Sequence, residues 1–300
     1  MRSAALGVQP AGSAEPGAGH GPGTRDDSQK GLEDWRLAQG EGVLVTLRRY
    51  PARVATFCLV ELQKLRHDRT ELMTRAVQPV LWLVIFGETF NRIHAIPTPR
   101  NIPYLSYLAP GIVAQSGLFI AIFYGIQIIW ERDAGVLTKL LVTPTPRSAL
   151  IIGKAFASGV RALAQVIVVL VLSAVLGVSL SVNPAHLLGT FAVVMLGSAF
   201  FSCLSMTMAG VLMKRDRLMG FGQLMTMPLF FASNALYPVS IMPHWLRYLS
   251  DVNPLSYEVD ALRGLLVGTQ DHLAADFLAL AVAVAVAVTA ASSLVNRLAR

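Results

Sequence analysis

Blocks of 18 or more apolar residues with few charges recur along this 300-residue chain, and no other feature limits its fold so strongly. A helix rising about 1.5 Å per residue needs about 20 such residues to cross roughly 30 Å of hydrocarbon. A soluble core would be interrupted sooner. Composition agrees, with 54% hydrophobic and 14% charged residues, where an ordinary soluble domain carries about 25% charged. The blocks lie at about 72–93, 105–130, 162–180, 187–213, 218–239 and 277–295. They predict an all-α integral membrane protein with six transmembrane helices.

Two of these blocks need comment. The first is interrupted by Gln78, Pro79 and Glu88; a proline there predicts a kink facing protein, where neighbours satisfy the freed carbonyl. The last alternates Ala and Val, which has the period of a strand. A barrel, however, needs many segments of about 10 residues, and the other blocks are far longer. Block four carries Ser198, Ser202, Ser205 and Ala209 at helical spacing. That stripe of small side chains reads as a face for close helix packing, although membrane composition alone also yields such stripes.

Ahead of the blocks, residues 1–50 form a cytosolic tail, its first 31 rich in Gly, Ala, Pro and Ser. Burial there does not offset ordering entropy, so disorder or weak structure is expected. From Pro51, Val54, Phe57, Cys58, Leu62 and Leu65 recur at helical spacing while Arg53, Lys64 and Arg66 take other faces. This reads as an amphipathic helix along the inner leaflet. A solvated helix packed on a neighbour fits the same pattern. Residues 51–300 then form one membrane domain.

Basic residues set the orientation, because cytoplasmic flanks retain Lys and Arg. With both termini inside, the outer segments hold only Arg92, Arg100, Arg247 and Arg263, leaving 21 of the 25 basic residues on the inner side. The chain is thus expected in the cell membrane with both ends cytoplasmic. The net charge of +7 sits beside the ends of apolar blocks rather than in a stripe with interleaved aromatics, so no nucleic-acid partner is expected.

Chemistry-bearing motifs are scarce. Gly153-Lys154 is followed by Ala155 and lacks the preceding glycine of a phosphate-binding loop, so no segment here cradles ATP phosphates. Six histidines are scattered without a metal or catalytic spacing, and Cys58 and Cys203 lie far apart. No ionisable residue falls mid-span in predicted helices three to six, which argues against a carrier that relays protons through membrane carboxylates. No catalytic, cofactor-binding or metal site is expected.

The informative segment joins blocks two and three: Glu131-Arg132-Asp133-Ala134-Gly135-Val136-Leu137-Thr138-Lys139-Leu140-Leu141-Val142-Thr143-Pro144, with Gly153-Lys154 beyond. Its charges and short Leu137/Leu140/Leu141 face suit a helix that leaves the membrane, turns along it and presents a knob to a soluble partner. The segment resembles that of the type-2 ABC exporter permeases, whose pattern is roughly E-R-E/D-x-G-x-L-x-x-L-x-x-x-P followed by Gly-Lys. Gln78-Pro79, Ala109-Pro110-Gly111, Pro228, Tyr237-Pro238, Met242-Pro243, Asn253-Pro254-Leu255 and Ala261-Leu262-Arg263 extend the likeness from Pro51 onward. It is nearest the daunorubicin and antibiotic-resistance branch.

The resemblance implies a permease that dimerises, with an identical or a different second chain, and binds two ATP-binding subunits, which hold ATP and Mg. Glu131, Arg132, Asp133, Gly135, Leu137, Leu140 and Pro144 would form the coupling helix. Phe57, Glu61, Lys64 and Arg66 would lie on a connecting helix beside it. The roughly 34 residues between blocks five and six are long for a simple connection, and Pro243, Trp245, Asn253 and Pro254 mark two short amphipathic pieces. The family implies that they are re-entrant outer helices; an ordinary surface loop is the other reading. For a translocation path the residues to inspect are Phe119, Phe123 and Gln127 in block two and Phe230, Phe231 and Asn234 in block five. Such apolar walls favour hydrophobic or amphipathic cargo such as a drug, antibiotic, lipid or glycolipid, though helix packing explains the same residues. A non-transporting membrane scaffold is the rival reading of the whole chain.

Overall fold

The computed structural model describes residues 51, 54–56, 58–59, 63, 74, 77–93, 97–99, 102–137, 147–268 and 272–298. Among these residues the regular structure is helical and no strand occurs. The first segment is helical over residues 77–93 and contains a π-helical stretch, Trp82–Gly87, leading into α1 (Glu88–Ile93). Pro79 lies one turn before that stretch and has no amide hydrogen to give to the helix.

Helix α2 (Tyr104–Asp133) starts after Pro103, and its closing residue Ala134 is followed by Gly135 at φ +71°. Helix α3 (Arg147–Val175) and α4 (Pro184–Leu212) follow. The start of α4 is set by Asn183, whose side chain accepts from the Ala185 amide at 3.0 Å, with Pro184 in the first turn. After a short break come α5 (Arg215–Phe231), α6 (His244–Val252), α7 (Pro254–Val267) and α8 (Leu273–Leu298).

Helix α4 is the hub of the bundle: α2, α3, α7 and α8 all pack on it, and α2 also meets α3, α5 and α7. Ser198 and Ser202 have no exposed surface. Opposite them on α2, a Cβ added to Gly125 would meet the Ser202 carbonyl and Ser205 Cβ, each at 2.6 Å, and Ser205 Oγ donates to the Ile122 carbonyl at 2.7 Å. The small-residue stripe is therefore the packing face expected of it. The Ala–Val segment lies within α8 and is helical, as its length demanded.

Among the described residues, four helices are long and apolar enough to cross a membrane: Tyr104–Asp133, Ser148–Val175, Pro184–Leu212 and Leu273–Val295. With α5 only 17 residues long, six crossings are not established by helix length and composition. The third helix starts at Arg147 rather than near residue 162, which places Lys154 and Arg161 inside it, both buried. Hydropathy stops at such charges; a folded bundle tolerates them where partners await.

Candidate functional site

At one end of the bundle the chain leaves α2 through an ionic elbow. Gly135 takes the left-handed conformation there, which a residue with a Cβ adopts only under strain. The charges just before it are tied to other helices. Lys154 Nζ of α3 pairs with Glu131 Oε2 at 2.6 Å, and the lysine is 5% exposed. Asp133 receives Arg132 on one oxygen at 2.9 Å and Arg215, at the start of α5, on the other at 2.7 Å. Arg132 also donates to the Met213 carbonyl at 3.1 Å, just past the end of α4. Leu137 is 1% exposed. Glu131, Arg132, Asp133, Gly135 and Leu137 thus occupy one junction where α2, α3, α4 and α5 meet. Deeper in, Lys154 and Arg161 lie over the Tyr124 ring, at 5.7 and 4.9 Å from its centroid, which gives both cations an attractive surface away from water. Leu140, Pro144 and the connecting-helix residues Phe57, Glu61, Lys64 and Arg66 lie outside the described residues.

At the opposite end, α6 and α7 are separated by Asn253, whose side chain accepts from the Leu255 amide and donates to the Leu229 carbonyl. Pro243 precedes α6 and Pro254 opens α7. Helix α6 exposes Trp245, Tyr248, Leu249 and Val252, whereas α7 is inserted among α2, α4 and α8. Asn234 belongs to this end: its Nδ2 donates to Asp260 at 2.6 Å, and its carbonyl accepts from Tyr107 and Arg263. The Arg263 guanidinium lies 3.9 Å from the Tyr107 ring centroid.

Between the two ends lies a cavity of about 430 Å³. Gln78 of the first segment, Gln115, Phe119 and Phe123 of α2, Gln165 of α3 and Gln223 of α5 line it. Two of the six expected path residues, Phe119 and Phe123, are therefore on its wall. Gln127, Phe230, Phe231 and Asn234 are not among its lining residues; Phe230 instead is fully buried with its ring edge against Trp82.

Sequence reasoning missed three features. Gln115 and Gln165 were visible as amides inside apolar blocks. Glu258, on α7, is fully buried and neither carboxyl oxygen has a hydrogen-bond partner among the described residues. A Cβ on Gly197 of α4 would collide with that carboxyl. Its signal was the Leu255, Val259, Leu262, Leu266 stripe, which marks a helix buried on the glutamate's flank.

The family model for the ABC-2 type transporter matches residues 42–267. The chain belongs to the ABC-2 type transporter family. A putative transport permease, ycf38, of Porphyra purpurea is 30% identical over 210 residues, covering 69% of this chain and 71% of that protein. The daunorubicin resistance ABC transporter permease protein DrrB1 of Streptomyces coeruleorubidus is 22% identical over 204 residues, covering 68% and 71%. A probable doxorubicin resistance ABC transporter permease protein, DrrC, of Mycobacterium tuberculosis is 25% identical over 208 residues, covering 69% and 74%. As an ABC-2 family member the chain is a multi-pass membrane protein and a transport permease rather than a catalytic enzyme. ABC-2 permeases work with ATP-binding subunits.

Proposed function

We propose that this chain is the membrane-spanning subunit of an ATP-driven exporter that moves a hydrophobic or amphipathic substrate outward, with separate ATP-binding subunits docked at the elbow. The observation that carries this reading is the elbow itself. Its acidic residues are ion-paired to α3 and α5 and its arginine is bonded to the end of α4. A force applied there reaches four helices at once. Nucleotide closure shifts the bundle only through contacts that differ between its two packings, and this junction supplies such contacts.

In this reading the chain crosses the membrane six times with both termini cytoplasmic, and α6 and α7 are re-entrant outer helices. The complete exporter contains two ATP-binding subunits, which hold ATP and Mg, and a second permease chain, identical or related. This chain itself carries no cofactor. Drug-resistance permeases among the relatives support an amphipathic cargo.

The test is co-purification with a candidate ATP-binding subunit, comparing wild type with Glu131→Ala and Gly135→Pro. Both variants are expected to lose stimulated ATPase activity, by about ten-fold or more if a buried charge pair is broken. Full association and stimulation in both would remove the elbow from the coupling route. A scaffold would show no stimulation even as wild type.

A further inference from the structure

The cavity offers more than a passage. Gln115 is 1% exposed and Gln165 2% exposed, and in both the amide oxygen and the amide nitrogen lack a hydrogen-bond partner among the described residues. Each residue lines the same cavity. From the 1.5 Å rise, Gln115 sits about 16 Å along α2 from Tyr104, and Gln165 about 15 Å along α3 from Val175. Both amides therefore lie about a third of the way along their helices and about half of a 30 Å hydrocarbon layer in from those ends, where hydrocarbon outside the bundle supplies no partner. These four amide atoms offer donor and acceptor capacity that no described protein group takes up, and a ligand that both donates and accepts hydrogen bonds would use it.

The chemistry of the wall narrows the ligand. No charged side chain is among the described lining residues, so an ammonium or sulfate headgroup would meet no counter-ion on that wall. Gln78 and Gln223 add further amides, each with one acceptor and two donor hydrogens. Phe119 and Phe123, one helical turn apart, hold their rings within 16° of parallel and give an apolar wall. A volume of about 430 Å³ falls within the range of small-molecule sites.

We propose that this cavity binds an uncharged, hydroxyl-rich headgroup, such as a glycosyl unit on an apolar tail, through Gln115 and Gln165, and discriminates against cationic and anionic headgroups. Hydroxyls match amides in both directions, and the C–H face of a sugar ring packs on Phe119 and Phe123. The inference deepens the exporter reading by naming its substrate class, but the binding it predicts requires no ATPase.

The experiment uses the full chain in lipid nanodiscs with no ATP-binding subunit present. Saturable binding of radiolabelled hexyl β-maltoside, hexyltrimethylammonium and hexyl sulfate is measured, with empty nanodiscs subtracted. The maltoside is expected to bind about ten-fold or more tightly than either ion, and Gln115→Leu with Gln165→Leu to lose about ten-fold for the maltoside alone. Equal affinity for the three headgroups, no saturable binding, or maltoside binding unchanged in the double variant would each overturn the proposal. Should the double variant not fold, a diazirine-bearing maltoside on wild-type protein decides. Labelling is expected within residues 115–123 or at Gln165, and labelling confined elsewhere refutes the site. Loss of ATPase coupling with maltoside binding intact would count against the exporter reading alone, and the reverse pattern against the ligand assignment alone.

Discussion

Glu258 sits on α7 with its carboxyl enclosed by α2 and α4, near Gly117, Gly197 and Ser198, none of which is charged. Burial pushes this carboxyl well above the ordinary carboxylate range. The native state therefore keeps its proton to higher pH than the unfolded chain, whose glutamates titrate near 4.3. By linkage the stability tied to Glu258 is fullest below that value and declines as pH rises toward the folded pKa. Thermal unfolding of the purified protein between pH 5 and 8 should fall less steeply in Glu258→Gln, which keeps shape and removes the titration. Identical slopes in the two proteins would show that the carboxyl does not titrate across folding. The glutamate was invisible to hydropathy because its segment is short and polar enough to read as a connection. Lys154 and Arg161 were displaced for a related reason: their partners, Glu131 and Tyr124, belong to another helix.

At the level of helices, the contact of α2 with α4 rests on small residues rather than interdigitated large ones. Lipid tails are as apolar as leucine, so close backbone approach and dispersion hold such helices together. Gly125→Val would drive a side chain into the Ser202 carbonyl and Ser205, costing about 1–3 kcal/mol. A control is at hand in Gly220 of α5, where a Cβ meets nothing within 4 Å; Gly220→Ala should leave stability unchanged or raise it by up to about 1 kcal/mol. Thermal unfolding in one detergent compares both with wild type, and equal losses would deny the contact its special role. The serine stripe on α4 was legible because helical spacing is a property of one segment. Its partner glycine was not, since nothing in the serine pattern says which helix it meets.

For the molecule as a whole, the distribution of Lys and Arg makes a topological claim that the bundle geometry does not test. After Cys58→Ser and Cys203→Ser, His186→Cys and His272→Cys are expected to react with a membrane-impermeant maleimide on intact cells, and Ser148→Cys to react only after permeabilisation. Labelling of Ser148→Cys from outside would invert the exporter scheme. Sequence alone determined that the chain is helical, lives in a bilayer and carries the ABC-2 elbow, because length of apolar run, period and motif spacing are local along the chain. Tertiary structure decided which charges are paired at the elbow, that Asn234 is bonded to Asp260, Tyr107 and Arg263, and that four glutamines from separate helices share one cavity. Such pairings depend on how helices distant in sequence pack side by side, and burial and electrostatic partnership exist only once they have done so.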